Sequence, residues 1–318
     1  MSEVTLVEVA PRDGFQVVKP FIPTEAKIEV IEALAKAGFQ RMEIGAYVSP
    51  KAIPQMADIG DILDRATLPQ DMRLQVLVPN GKGVERALDA GISEISWVVS
   101  ISDSHNQNNV RRSVAQSMND FENVWHTHGE RVSVLRFNLA TAFDCPFEGR
   151  TDEAAVVAVL ERVLQNASRV EFGICDTTGR AANDHVESFT RTLVDRYASE
   201  DVTFAFHGHD TYNLGVANAL AAYRAGVHVF DGAAAGLGGC PFAPGASGNT
   251  ATEDLAFAFE HMGIATGIDI DQLLTAADLA YGVAPDQSAG RLRSVPRHRV
   301  LSGFGRNARG IPASAAAE

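Results

Sequence analysis

The sequence predicts an α/β fold, a (β/α)8 TIM barrel forming a single domain with a C-terminal arm. Eight short β-rich runs alternate with longer stretches of helical period, which is the pattern of a parallel sheet with helical returns. An open doubly wound sheet would call for a Gly-rich turn after the first strand, and that turn reads "APRDGFQ". Polar residues gather just after the strands, where a barrel keeps its chemistry. The barrel is expected over residues 1–288 and the arm over 289–318.

The first run, "VTLVEV" at 4–9, leads to "PTEAKIEVIEALAKAG" at 23–38. There Ile28, Ile31, Leu34 and Ala35 recur at helical spacing and Gly38 supplies the stop. The second and third runs are "RMEIGAY" at 41–47 and "RLQVLVP" at 73–79. "EISWVVS" at 94–100 and "VSVLRFNLA" at 132–140 follow, then "RVEFGICD" at 169–176. "VTFAFHGH" at 202–209 and "VHVFDGAA" at 227–234 complete the eight. No short-period repeat and no low-complexity linker divides the chain.

With 318 residues, 46% hydrophobic and 21% charged, the chain can bury a substantial core. A net charge of −13 argues against a nucleic-acid or anionic-membrane surface, since both require a basic stripe. The one basic concentration, "RLRSVPRHRVLSGFGRNARG", reads as a solvated or subunit-contacting arm. Neither a signal-like opening nor an apolar run of transmembrane length is visible, so secretion and membrane insertion are not expected. Three widely spaced cysteines, 145, 175 and 240, fit free thiols in a reducing compartment, the cytoplasm.

The strand ends carry Arg12 and Asp13, Glu43, Asn80, the loop "SISDSHNQNN", Asp176 and Thr177, and then His207 and His209. In an extended strand residues i and i+2 face one side, so the two histidines of "FHGHD" can share a metal. Asp13 would add a carboxylate and Asn249 an amide oxygen. That donor set suits Mg2+ or Mn2+ and also admits Zn2+ or Co2+. Thr250 and Glu253 have capping-box spacing for a following helix, with Asn249 as the loop residue before it. Arg12 is a fixed cation for an oxygen that becomes negative, and Glu43 can orient it. Asp176 either buttresses the site or closes a strand-end turn; His105 either touches substrate or lies on a surface loop. The pair in "WHTHG" at 125–129 sits at a helix end and receives no role.

"VEVAPRDGFQ", "YVSPKAIPQMAD", "CPFEG", "HGHDTYNLGVANALAAYRAGV" and "AGLGGCPFAPGASGNTATEDL" resemble the 3-hydroxy-3-methylglutaryl-CoA lyases, over roughly the first 285 residues. The resemblance implies a divalent-metal lyase that releases acetyl-CoA from an acyl-CoA substrate, and a homodimer. It matches Asp13, His207, His209 and Asn249 to the metal ligands. Arg12 falls on the enolate-stabilising arginine, Glu43 on its neighbouring acid, and Cys240 on a loop cysteine that protonates the departing carbon. Asp13 or a histidine, His207 first, removes the hydroxyl proton, and Gln16, Asn80 and Asp176 join Arg12 as expected substrate contacts. The chain departs from the family in reading "GFQVV" for "GLQNE" and "GAY" for "TSF", and no lysine follows Lys82. Phe15, Val17, Val18 and Ala46 are thus expected to reshape the acyl pocket. Rival readings are a lyase or aldolase for another 3-hydroxyacyl-CoA or hydroxy acid, and a catalytically silent binding barrel.

Overall fold

In a computed structural model, residues 3–239 and 248–303 are described. Eight parallel strands close into a barrel: β1 Thr5–Glu8, β2 Arg41–Ala46, β3 Arg73–Leu77, β4 Glu94–Ser100, β5 Val134–Ala140, β6 Val170–Asp176, β7 Val202–Gly208 and β8 Val229–Gly232. Each lies inside a run predicted from the sequence. Closure is made by β8 on β1, with Thr5 opposite Val229 and Glu8 opposite Gly232.

The helical returns are α1 Thr24–Lys36, α2 Ile59–Arg65, α3 Gly81–Asp89, α4 Asp103–Val110, α5 Val114–His128, α6 Glu153–Leu164, α7 Asn183–Tyr197, α8 Gly215–Arg224 and α9 Thr252–His261. Helices α10 Ile270–Val283 and α11 Arg297–Gly303 follow. Ile28, Ile31, Leu34 and Ala35 are all buried along α1, as their spacing requires. Gly38 turns the chain out of that helix at φ +98°, a conformation that suits glycine.

The core has two unlike layers. Between strands and helices it is apolar and aromatic, with Phe121 edge-on to Phe137 at 5.0 Å between centroids. Inside the barrel it is charged: Arg41, Gln75, Arg136, Glu171 and Asp231 are buried there and bonded to one another. Such a filling is stable only when each donor finds an acceptor.

Some local features differ from the sequence reading. The capping box at Thr250 and Glu253 does not form: α9 begins at Thr252 behind Ala251, which makes no side-chain cap. Glu253 instead accepts the Ala235 N–H at 3.0 Å, and Thr250 Oγ1 donates to the Gly208 carbonyl at 2.7 Å. Helical returns are also interrupted by a two-residue ladder, Asp144–Cys145 against Gly149–Arg150. Within the segment 289–303, Ala289 and Gly290 donate to the Ala235 carbonyl, Arg291 and Leu292 donate to Asp254, and Val300 is buried. Cys145 and Cys175 are free and buried, and no helix among the described residues is long and apolar enough to cross a membrane.

Candidate active site

β1 runs directly into a single π-helical turn, Ala10–Gly14, in which the Val9 carbonyl accepts the N–H groups of Arg12, Asp13 and Gly14. Pro11 suits the start of this turn because it has no N–H to satisfy. Gly14 is required by packing: a Cβ there would lie 2.9 Å from Leu237 Cβ. This wide turn sets Arg12 and Asp13 on the barrel mouth. Arg12 binds Glu43 through Nε and Asp13 through Nη1, and Gln16 Nε2 donates to the same Asp13 oxygen at 2.7 Å.

The adjoining wall comes from β7 and the segment after β8. His207 Nε2 lies 3.9 Å from Asp13 Oδ2, and its Nδ1 is 3.1 Å from Asp231 Oδ2 on β8. His209, just past the end of β7, is bridged to Asn249, and the Thr250 N–H donates to the Gly208 carbonyl at 3.0 Å. Asn249 Nδ2 donates to Asp13 Oδ2 at 3.0 Å and to the Leu237 carbonyl at 2.9 Å. The approach is close enough that only glycine fits at 238 and 248. A Cβ at Gly238 would lie 2.4 Å from Asn249 Nδ2, and one at Gly248 2.6 Å from the Gly238 carbonyl.

These contacts leave a set of atoms suited to a cation. Asp13, His207 and His209 each offer a ligand atom, all within 4.8 Å of one another. His209 Nδ1 and Asn249 Oδ1 are buried and have no hydrogen-bond partner among the described residues. Buried polar atoms cost free energy unless something satisfies them, and a divalent ion would do so here.

The electrostatics of Asp13 and His209 agree with that donor set. Burial opposes ionisation of Asp13, but Arg12 and then the two histidines hold its carboxyl below the ordinary range. Burial and then neighbouring His207 push His209 down to about 4, which leaves a neutral imidazole fit to ligate. For His207 burial also favours the neutral ring, yet its hydrogen bond with Asp231 raises its pKa above the usual value. Burial opposes the charge on Arg12 as well; Asp13 and Glu43 more than offset it.

This site opens into a cavity of about 770 Å³ lined by Arg12, Asp13, Glu43, His207 and His209. A family model described as HMGL-like matches residues 3–280. The chain belongs to the HMGL-like family. It is 40% identical over 290 residues to the (R)-citramalyl-CoA lyase of Chloroflexus aurantiacus, covering 87% of this chain and 90% of that one. It is 37% identical over 276 residues to a hydroxymethylglutaryl-CoA lyase of Bacillus subtilis, covering 87% and 91%. A solved HMG-CoA lyase from Acinetobacter baumannii, in complex with coenzyme A and 3-methylmalate, superposes with a TM-score of 0.84 at 36% identity, covering 97% of this chain and 98% of that one.

Within this HMGL-like chain, Gln16 and Asn80 also reach the cavity wall, and Asn80 caps α3 by accepting the Gly83 N–H at 3.1 Å. Asp176 lies under the loop after β6, accepting from Ala181 N–H and Asn218 Nδ2; its neighbour Thr177 is the one on the wall. Cys240 lies outside the described residues, and Gly239 before it lines the cavity. His105 is no surface residue: it is buried on α4 beside the cavity, with Nδ1 2.7 Å from Ser100 Oγ. Of the four substituted positions expected to shape the acyl pocket, Val17 reaches the cavity. Phe15, Val18 and Ala46 pack into the core instead. Asn138 and Asp231, which are not among the strand-end residues, line the cavity from inside the strands. The signal for them was a polar residue in the middle of a strand run, as in "VLRFNLA" and "VHVFDGAA".

Proposed function

We propose that the chain cleaves a 3-hydroxyacyl-CoA into acetyl-CoA and a ketone, using Mg2+ or Mn2+ held by Asp13, His207, His209 and Asn249. The observation that carries this reading is the convergence of those four side chains beside Arg12, over a cavity, in a chain of the HMGL-like family. The candidate substrates are 3-hydroxy-3-methylglutaryl-CoA and (R)-citramalyl-CoA, after the names of the two relatives. They differ by one methylene between C3 and the distal carboxylate. Two free, buried thiols are consistent with a cytoplasmic enzyme.

A bound divalent ion supplies Lewis-acid polarisation of the C3 hydroxyl. That hydroxyl then gives its proton to the Asp13 carboxylate, the C2–C3 bond breaks with its electron pair remaining on C2, and C2 takes up a proton. Arg12, fixed by Glu43, stabilises the thioester oxygen as it gains charge. Cys240, the residue after Gly239 in the sequence, donates the proton to C2. Gln16, Asn80 and Thr177 orient the acyl group, with Asp176 supporting the Thr177 loop from below.

Asp13→Ala and His209→Ala test the ligand set. Each should weaken Mn2+ binding measured by calorimetry and remove acetyl-CoA release. Full metal-dependent turnover in either variant would sink the assignment.

A further inference from the structure

We propose that Asp231 is a positioning residue that fixes the tautomer of His207 and thereby sets the metal affinity of the site. The inference rests on the metal reading above. It concerns a residue that the sequence pattern did not single out and that stands on β8, between β1, which leads to Asp13, and β7, which carries His207.

Asp231 Oδ2 receives two groups, Arg136 Nη2 at 2.8 Å and His207 Nδ1 at 3.1 Å. An ionised carboxylate only accepts hydrogen bonds, so the imidazole must carry its proton on Nδ1 to make this contact. A neutral His207 then has a bare Nε2, and Nε2 is the atom that faces Asp13 at 3.9 Å. The pairing thus presents a lone pair on the side where Asp13 and His209 offer theirs. Without Asp231 the ring could place its proton on either nitrogen, and one of the two tautomers cannot ligate through Nε2.

The carboxylate is held in place from behind. Arg136 Nη1 donates to Glu171 Oε1 at 2.7 Å, and Arg41 Nη1 donates to the same oxygen at 2.7 Å. Arg41 Nη2 continues to Gln75 Oε1 at 2.8 Å, and Gln75 Nε2 to Glu43 Oε1 at 3.2 Å. Glu43 holds Arg12, which holds Asp13. A continuous path of hydrogen bonds therefore crosses the barrel interior from His207 to Asp13. Gly173 on β6 makes room for it, since a Cβ there would lie 2.1 Å from Asn138 Oδ1 and 2.8 Å from Arg136 Nε. Supporting carboxylates of this kind fix ring orientation and raise ligand basicity, and their loss costs about 10- to 100-fold in metal affinity.

Two measurements on the full-length protein decide the matter. In metal-free wild type labelled with 15N-histidine and kept in alkaline buffer, the His207 ring, assigned by its loss in His207→Asn, should show a protonated Nδ1 and a bare Nε2. Calorimetric titration with Mn2+ should give binding about 10-fold weaker in Asp231→Leu, which keeps the size but removes both acceptor oxygens. A His207 ring protonated on Nε2 in the wild type would overturn the proposal. So would a folded Asp231→Leu that binds Mn2+ within about twofold of wild type, well below the loss expected of such a partner. If the variant does not fold, the tautomer in the wild type alone decides. Wild type that takes up no Mn2+ would remove the metal reading itself and this inference with it.

Discussion

Glu8 and Glu253 sit behind the site, where β1 and β8 hand the chain on to the loops of the barrel mouth. Glu8 accepts the N–H groups of Ala10 and Ala234 and the Thr252 hydroxyl; Glu253 accepts the Ala235 N–H. Burial pushes Glu8 up to about 7, and burial with Asp254 nearby pushes Glu253 up to about 8. The folded chain holds these protons more tightly than the unfolded chain does. Their contribution to stability is therefore fully present below the ordinary carboxylate range and is lost as pH rises through about 7 to 8. Replacing Glu253 by Gln should flatten that loss: the melting temperature of metal-free protein should fall less between about pH 5 and about pH 9 in the variant than in wild type. Equal slopes would show that Glu253 is not the group responsible. Cys240 gives a second test at this scale. Cys240→Ser should bind Mn2+ and substrate nearly as wild type and lose most of kcat, because a serine hydroxyl is a far weaker acid than a thiol. Wild-type kcat in that variant would exclude a proton-donor role.

β6 shows how a single position can govern an element. Gly173→Ala would drive a methyl group into Asn138 and Arg136, and neither can retreat without breaking a bond of the interior network. Overpacking of this kind costs about 1–3 kcal/mol, readable in urea unfolding. The same variant should also weaken Mn2+ binding if Arg136 moves away from Asp231; unaltered stability would show that the interior is looser than these contacts imply. Elements were legible in the sequence to different degrees, for physical reasons. The eight strands stood out because each is short, β-branched and bounded by helical period. His207 and His209 stood out because the two-residue alternation is visible in the three letters "HGH". The π-helical turn at Ala10–Gly14 was not legible, since its signal is a bonding pattern at one carbonyl. Nor was the true partner of Glu253. Its spacing from Thr250 satisfies a local rule, and a tertiary contact with Ala235 overrides it. The interior places of Arg41, Arg136 and Glu171 were not legible, because a sequence does not say which face of a strand is inside until the barrel is closed.

At the scale of the whole molecule, the barrel separates two tasks. Aromatic and aliphatic side chains between strands and helices hold the fold together. The interior is given over to charge, which orients Arg12, Asp13 and His207 from within and leaves the mouth open to a large substrate. On the proposed reading, a chain with net charge −13 would attract an anionic acyl-CoA locally, through Arg12 and the proposed cation, and not through its overall field. Discrimination between the two candidate thioesters then falls to the cavity wall. One methylene of misfit is worth about 1–3 kcal/mol, or about 10- to 200-fold in kcat/KM. The most direct test of the central claim is acetyl-CoA release by the wild-type protein from 3-hydroxy-3-methylglutaryl-CoA and from (R)-citramalyl-CoA, each with Mn2+ or Mg2+ and with a chelator. The account predicts release from at least one thioester, lost on chelation and restored by the metal, with a preference between the two in that range. Metal-replete, folded protein that releases acetyl-CoA from neither, or that does so equally well in chelator, would contradict it.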